Sequence, residues 1–229
     1  MLASYVMGLD LGPPGEPTGF AVLEWPATDD PKPEMAYHLR HLERFPPGAS
    51  YPAIVETVAE RTTAPPLKGS PVVVDITAVG RGVVDRLYQT NARILPIVMR
   101  AGQTVQWVDW VGQMVPKKEL VTALQLALQT RRLKVAPDLP DADLLLTELA
   151  AFRLRTVSIN EADALEWRVG RHDDLVFAVA MACWHADQYP PRKPLPVTPA
   201  PEPRSLRATL FERPRARCYR LFRHTRYPR

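Results

Sequence analysis

The segment Gly170-Arg171-His172-Asp173-Asp174 runs directly into ten apolar residues, Leu175 to Trp184. That run predicts a helix buried on most of its circumference, since a surface helix would interrupt it with polar residues every third or fourth position. Two adjacent carboxylates and a histidine stand at its first turn. One reading is local: acidic residues there suit the helix dipole and can cap free backbone N–H groups. The other is that the helix carries its carboxylates into a metal site. What the remaining chain places beside them separates the two.

The chain has 229 residues, 46% of them hydrophobic, enough for one sizeable domain with its own core. It holds no run of about 18 uncharged apolar residues, and its first residues lack a basic flank, so no transmembrane span and no signal peptide are expected. Cys183 falls in the apolar run and Cys218 near the end, which argues against a disulfide framework and for a reducing compartment. No Cys/His spacing suggests structural zinc. Charge is uneven. Residues 190–229 hold 11 Lys and Arg against 2 Asp and Glu, and 9 of the 25 prolines, whereas residues 1–189 hold 18 basic and 23 acidic side chains. The expectation is a folded domain over 1–189 and a disordered Pro/Arg-rich tail over 190–229, which either touches nucleic acid phosphates or serves only solubility.

From the N-terminus, Tyr5–Leu11 reads as a strand whose one charge, Asp10, comes at its end. Gly12 to Gly19 is a turn-rich loop, Phe20–Trp25 returns as a hairpin, and Tyr37–Phe45 is a third, half-exposed strand. Pro52 to Arg61 has helical spacing. Val72–Asp75 is a short β-branched strand, again closed by a single aspartate. After the Ile76–Gly82 turn come a helix, Val83–Gln89, and a buried-type strand, Ile94–Met99. That series implies a βαβ unit with parallel strands. Pro116 opens a longer helix with Leu120, Val121, Leu124, Ala127 and Leu128 on one face. Leu133–Val135 adds a short edge strand, Asp138 or Asp141 caps a helix through Leu145, Leu149 and Phe152, and Arg153–Val169 reads as a hairpin. The fold class is α/β: a mixed central sheet of about five strands, antiparallel over the first three and parallel thereafter, flanked by helices.

Asp10 and Asp75 each end an apolar strand, and Asp173-Asp174 open the apolar helix. Carboxylates at the ends of apolar elements are costly unless paired or metal-bound. In open α/β sheets, sites form beyond the carboxyl ends of strands, where helix N-termini can meet them. A divalent cation would remove the repulsion among such groups, and oxygen-only ligands favour Mg²⁺ or Mn²⁺ over zinc. Two ions about 3.5–4 Å apart can activate a water and stabilise a leaving oxygen in phosphodiester cleavage.

Met-Gly-Leu-Asp10-Leu-Gly, Val-Val-Val-Asp75-Ile-Thr-Ala-Val-Gly and Arg171-His-Asp-Asp-Leu-Val-Phe-Ala-Val-Ala-Met-Ala resemble the nuclease domain of the large terminase subunit of tailed phages, which has the RNase H-like fold. The resemblance runs from about Tyr5 to Trp184 and includes Pro116-Lys-Lys-Glu-Leu at the start of the long helix. It implies an RNase H-like metal-dependent endonuclease that cuts concatemeric double-stranded DNA during packaging. Asp10, Asp75 and one or both of Asp173 and Asp174 are then the catalytic, metal-holding residues, with two Mg²⁺ or Mn²⁺ ions. It also implies a phage or prophage protein at work in the bacterial cytoplasm. The sequence has no Gly-x-x-x-x-Gly-Lys-Ser/Thr, so the ATPase motor of full-length large terminases is not expected here, and a separate packaging ATPase or other terminase or portal subunits become candidate partners.

Two alternatives share these residues: a Holliday-junction resolvase-like nuclease of the same superfamily, and a DNA-binding accessory protein without turnover. Arg81, between Gly80 and Gly82, either contacts phosphate or merely belongs to a turn. Lys117, Lys118 and Arg171 are candidate DNA contacts, though charge pairs at a helix start are ordinarily just solvated. His172 either orients an aspartate or binds metal, or simply caps a helix. Trp107, Trp110 and Trp167 stack on bases or fill the core, with the core favoured for at least two.

Overall fold

The computed structural model describes residues 4–25, 36–109, 112–136, 138–152 and 173–190. The strands are β1 (Ser4–Asp10), β2 (Thr18–Trp25), β3 (Tyr37–Phe45), β4 (Pro71–Asp75), β5 (Arg93–Arg100), β6 (Gln106–Val108), β7 (Gly112–Pro116) and β8 (Leu133–Val135). The helices are α1 (Tyr51–Thr63), α2 (Arg81–Tyr88), α3 (Lys117–Gln129), α4 (Ala142–Ala151) and α5 (Asp174–Gln188). All eight strands join one sheet in the order β6-β7-β5-β4-β1-β2-β3-β8. β1, β2 and β3 form the antiparallel meander, while β4, β5 and β7 run parallel to β1.

The five expected strands make up the middle of this sheet, and Leu133–Val135 is the edge strand expected of it. The β6–β7 hairpin extends the far side and was not legible in the sequence. Its strands are short, and Gly112 and Pro116 read as punctuation there. Pro116 consequently ends β7, and α3 begins one residue later.

Strand alternation divides the core between the two sheet faces. Met7, Leu9, Phe20, Val72 and Val74 point to a face covered by α1 and α2 through Ile54, Val55, Val58 and Leu87. Val6, Ala21, Leu23, Val73 and Ile97 point to the other, covered by α3 and α5. Residues Leu175 through Ala182 are all at most 5% exposed, as the unbroken apolar run demands. The helix lies directly on the sheet because two strand positions have no side chain. A Cβ built on Gly8 would stand 1.9 Å from the carbonyl oxygen of Ala178, and one on Gly19 would stand 2.2 Å from that of Asp174. These contacts also fix the direction of α5. Its first turn sits over Gly19, and the helix then runs back along β1 past Gly8. Burial pushes the Cys183 thiol up, so it remains a protonated core residue. Among the described residues no helix is long and apolar enough to cross a membrane.

Candidate active site

The site grows from register. Asp10 pairs with Asp75 across the parallel β1–β4 ladder, and Gly19 and Arg44 continue the same row across β2 and β3. Adjacent strands stand about 4.8 Å apart. Asp10 shares its parity with Val6 and Gly8, and Asp75 shares its parity with Val73, so both carboxylates face the α5 side of the sheet. The first turn of α5 is held over that row by the Gly19 contact. All four aspartates are buried: Asp10 is 3% exposed, Asp75 6%, Asp173 7% and Asp174 4%. Two ionised carboxylates about 5 Å apart repel by about 3 kcal/mol at an effective dielectric of about 20. Burial at that row therefore calls for cations or hydrogen-bond donors.

For Asp75, donors come from its own turn. The Thr77 N–H donates to Asp75 Oδ1 at 2.9 Å, and the Thr77 hydroxyl donates to the same oxygen. The Thr77 oxygen in turn accepts from the Met99 N–H at 2.8 Å, which ties the turn to β5. Burial raises the Asp75 carboxyl above its ordinary range, while Thr77 and the nearby Lys117 ammonium work in the opposite direction. Lys117 is half-buried, with its Nζ 5.2 Å over the Phe177 ring. Thr77→Val is expected to lower the unfolding free energy by about 1–2 kcal/mol, because the Met99 N–H loses its acceptor and Asp75 a donor. Thr77→Ser should stay within about 0.5 kcal/mol of the wild type in urea melts.

At α5, the cap comes from elsewhere in the chain. Asp173 occupies the N-cap position, yet its side chain makes no capping hydrogen bond. The amides of Leu175 and Val176 instead donate to Glu148 Oε2 on α4, at 3.1 and 3.2 Å. Arg44 Nη2 joins Glu148 Oε1 to Asp174 Oδ2, the latter at 2.8 Å. Burial pushes the Glu148 carboxyl up to about 7, with the Arg44 guanidinium and the two amides pulling it back. Asp141 likewise stands at the N-cap of α4 without capping it; its Oδ2 accepts from the Arg44 N–H at 2.9 Å. The expectation that Asp138 or Asp141 caps α4 by its side chain is thereby corrected, as is a local cap by Asp173. Arg44 and Glu148 escaped the sequence reading because each lies in an ordinary half-polar context. Only the expected burial of two adjacent carboxylates at a helix start could have prompted a search for such a cation.

The remaining candidates are distributed as follows. The Arg81 side chain opens α2, is 93% exposed and stands 3.9 Å from Asp85, one helical turn on. Lys118 is exposed and bonded to Gln103. Trp107 lies on edge strand β6 and is 71% exposed, so it is not a core residue. Arg171, His172, Trp110, Trp167, the Arg153–Val169 hairpin and the tail lie outside the described residues. Among the described residues no three His, Cys, Asp or Glu side chains are already gathered closely enough to hold one ion. Hard oxygen donors do suit Mg²⁺ or Mn²⁺, and the side-by-side placement of Asp10 and Asp75 fits them.

Neither a family model nor a curated protein matches this chain. Solved structures do. The large terminase nuclease from thermophilic phage G20c matches with a TM-score of 0.55 at 23% identity, covering 82% of this chain and 83% of that one. A second structure of it, with bound zinc, gives 0.52 at 22%, covering 82% of both chains. The human cytomegalovirus terminase nuclease domain, soaked with manganese, gives 0.50 at 14%, covering 80% and 83%. The chain thus has the RNase H-like fold of terminase nuclease domains.

Proposed function

We propose that this chain is a divalent-metal-dependent DNA endonuclease of the terminase type, cutting double-stranded DNA in the course of packaging. The observation that carries this reading is the in-register pairing of Asp10 with Asp75, on the sheet face where α5 sets its first turn. Asp10, Asp75 and one or both of Asp173 and Asp174 would hold two Mg²⁺ or Mn²⁺ ions. The chemistry supplied by ions bound there would be a lowered pKa for a bound water, making hydroxide available to attack phosphorus, and an offset to charge on the leaving oxygen. The chain's own residues do the positioning. Thr77 holds the Asp75 carboxylate in one rotamer, Lys117 favours its ionised form, and the buried row keeps bulk water away. Lys117 and Lys118 stand at the start of α3, directly after β7, where a DNA backbone could reach them. Contacts of that kind grip phosphate and read no sequence. A packaging ATPase that feeds DNA to such a site is the protein partner this reading expects.

Supercoiled plasmid incubated with Mn²⁺ should be nicked and linearised, and EDTA should stop it. Failure to cut plasmid, linear duplex or a four-way junction with either ion, at protein excess, rejects the enzyme and leaves the accessory-protein reading. Selective cutting of the junction would instead favour the resolvase.

The basic tail would add grip on the duplex. Residues 190–229 carry 11 basic side chains and only 2 acidic ones. Deleting them is expected to weaken duplex binding and to flatten the dependence of log K on log salt by about 0.9 per lost phosphate contact, with metal-dependent chemistry retained. Unchanged affinity across a salt series removes the tail from DNA binding.

A further inference from the structure

We propose that Arg44 and Glu148 form a clamp that positions the first turn of α5, and with it the carboxylates Asp173 and Asp174, over the Asp10–Asp75 row. The proposal deepens the nuclease reading of that site and rests on it. Four observations converge. Arg44 follows Asp10 and Gly19 in the cross-strand row, so β3 brings it to the sheet end where α5 begins. Its side chain is 15% exposed, against 3% for Glu148 and 5% for Asp174, and one Nη2 bridges both carboxylates. Glu148 uses its other oxygen to accept from Leu175 and Val176, two amides without a partner inside the helix. The Arg44 backbone N–H anchors the start of α4 through Asp141, so the strand that supplies the cation also seats the helix that supplies the cap.

The arrangement assigns separate tasks. A helix start commonly satisfies its amides with its own N-cap side chain. Here that work passes to Glu148, 26 residues before Asp174, so Asp173 is not spent on capping. Arg44 supplies the positive charge that lets Glu148 and Asp174 lie buried side by side. Both are positioning residues; neither is assigned contact with substrate.

The test is Mn²⁺ binding by titration calorimetry in the absence of DNA, on the full chain and on Arg44→Gln, Arg44→Lys, Glu148→Gln and the Arg44→Gln/Glu148→Gln pair. Loss of supporting contacts around metal ligands costs about 10- to 100-fold in affinity. Arg44→Gln is expected to bind Mn²⁺ at least about tenfold more weakly, and Arg44→Lys to fall between it and the wild type. Glu148→Gln keeps an amide oxygen for Leu175 and Val176 while losing the ion pair, so it covers the case in which an Arg44 variant does not fold. The double variant should lose no more than the worse single one, because the two residues act as a unit. Affinity within twofold of wild type in a folded Arg44→Gln or Glu148→Gln protein overturns the clamp, as do additive losses in the pair. Weakened Mn²⁺ binding in a protein whose wild type never cuts DNA upholds the clamp and overturns the nuclease. A wild type that binds no Mn²⁺ also overturns the nuclease, and additivity of the melting-temperature changes then decides the clamp.

Discussion

Asp10→Asn is expected to lower Mn²⁺-dependent DNA cleavage by at least about 10³-fold, equivalent to about 4 kcal/mol of transition-state stabilisation, in a protein that remains folded. Asparagine keeps the shape of the side chain and one oxygen but removes the charge, and in the proposed mechanism the charge holds the ions. Asp75→Asn should do the same. The apo proteins test the electrostatics separately. Burial raises the Asp75 carboxyl, so the native state holds that proton more tightly than the unfolded chain. Its ionisation therefore subtracts stability as pH rises through the carboxylate range. Asp75→Asn removes that loss, and at neutral pH in EDTA it should melt at or above the wild-type temperature. Adding Mn²⁺ should raise the melting temperature of the wild type and leave both variants where they were, since ligand binding stabilises only the form that binds it. Cleavage that survives in Asp10→Asn would defeat the assignment of the site.

Gly19→Ala is expected to be strongly destabilising. Its Cβ would lie 2.2 Å from the Asp174 carbonyl oxygen and 2.5 Å from the carbonyl carbon. Both are backbone atoms, so no rotamer change relieves the overlap, and the first turn of α5 must lift from the sheet. Overpacking of this kind costs about 3 kcal/mol or more, which for a domain of this size lowers the melting temperature by about 6–12 °C. The same displacement would carry Asp173 and Asp174 away from the Asp10–Asp75 row, so cleavage should fall further than the lost stability explains when assayed well below the melting point. Gly82→Ala is the control. A Cβ there meets nothing within 4 Å, and alanine in the first turn of α2 should be neutral or stabilising by up to about 1 kcal/mol. A Gly19→Ala protein with wild-type melting temperature and cleavage would contradict the direct seating of α5 on β2.

Much of this architecture was legible because it repeats at short range. β1, β2, β3, β4, β5 and α5 each announce themselves by an apolar run or an alternation within a few residues, bounded by glycine, proline or a lone aspartate. The β6–β7 hairpin did not, because strands of three and five residues are too short to show a period. Trp107 shows the limit of composition. Tryptophan belongs in a core on average, yet this one sits on the outermost strand with 71% of its surface exposed. The glycines show the opposite case. Gly80 and Gly82, close together after Asp75, suggest a turn that needs glycine, but the space around both is open. Gly8 and Gly19 read in the sequence only as part of a strand motif and as the end of a turn-rich loop, although only a residue without a side chain fits either position.

By itself, the sequence determined that Asp10 and Asp75 would close buried strands and that Asp173 and Asp174 would open a buried helix, since those facts follow from local patterns of polarity. Where each carboxylate sits relative to the others was decided by the tertiary structure. Parallel pairing put Asp10 beside Asp75, and the bare backbone at Gly8 and Gly19 let α5 settle onto their face of the sheet. It also decided which residue caps that helix. Glu148 and Arg44 are 104 positions apart in the chain, and no local pattern links a cap to a cation at that distance. Buried charges are matched by whatever the fold brings near them, and proximity of that kind is a property of packing.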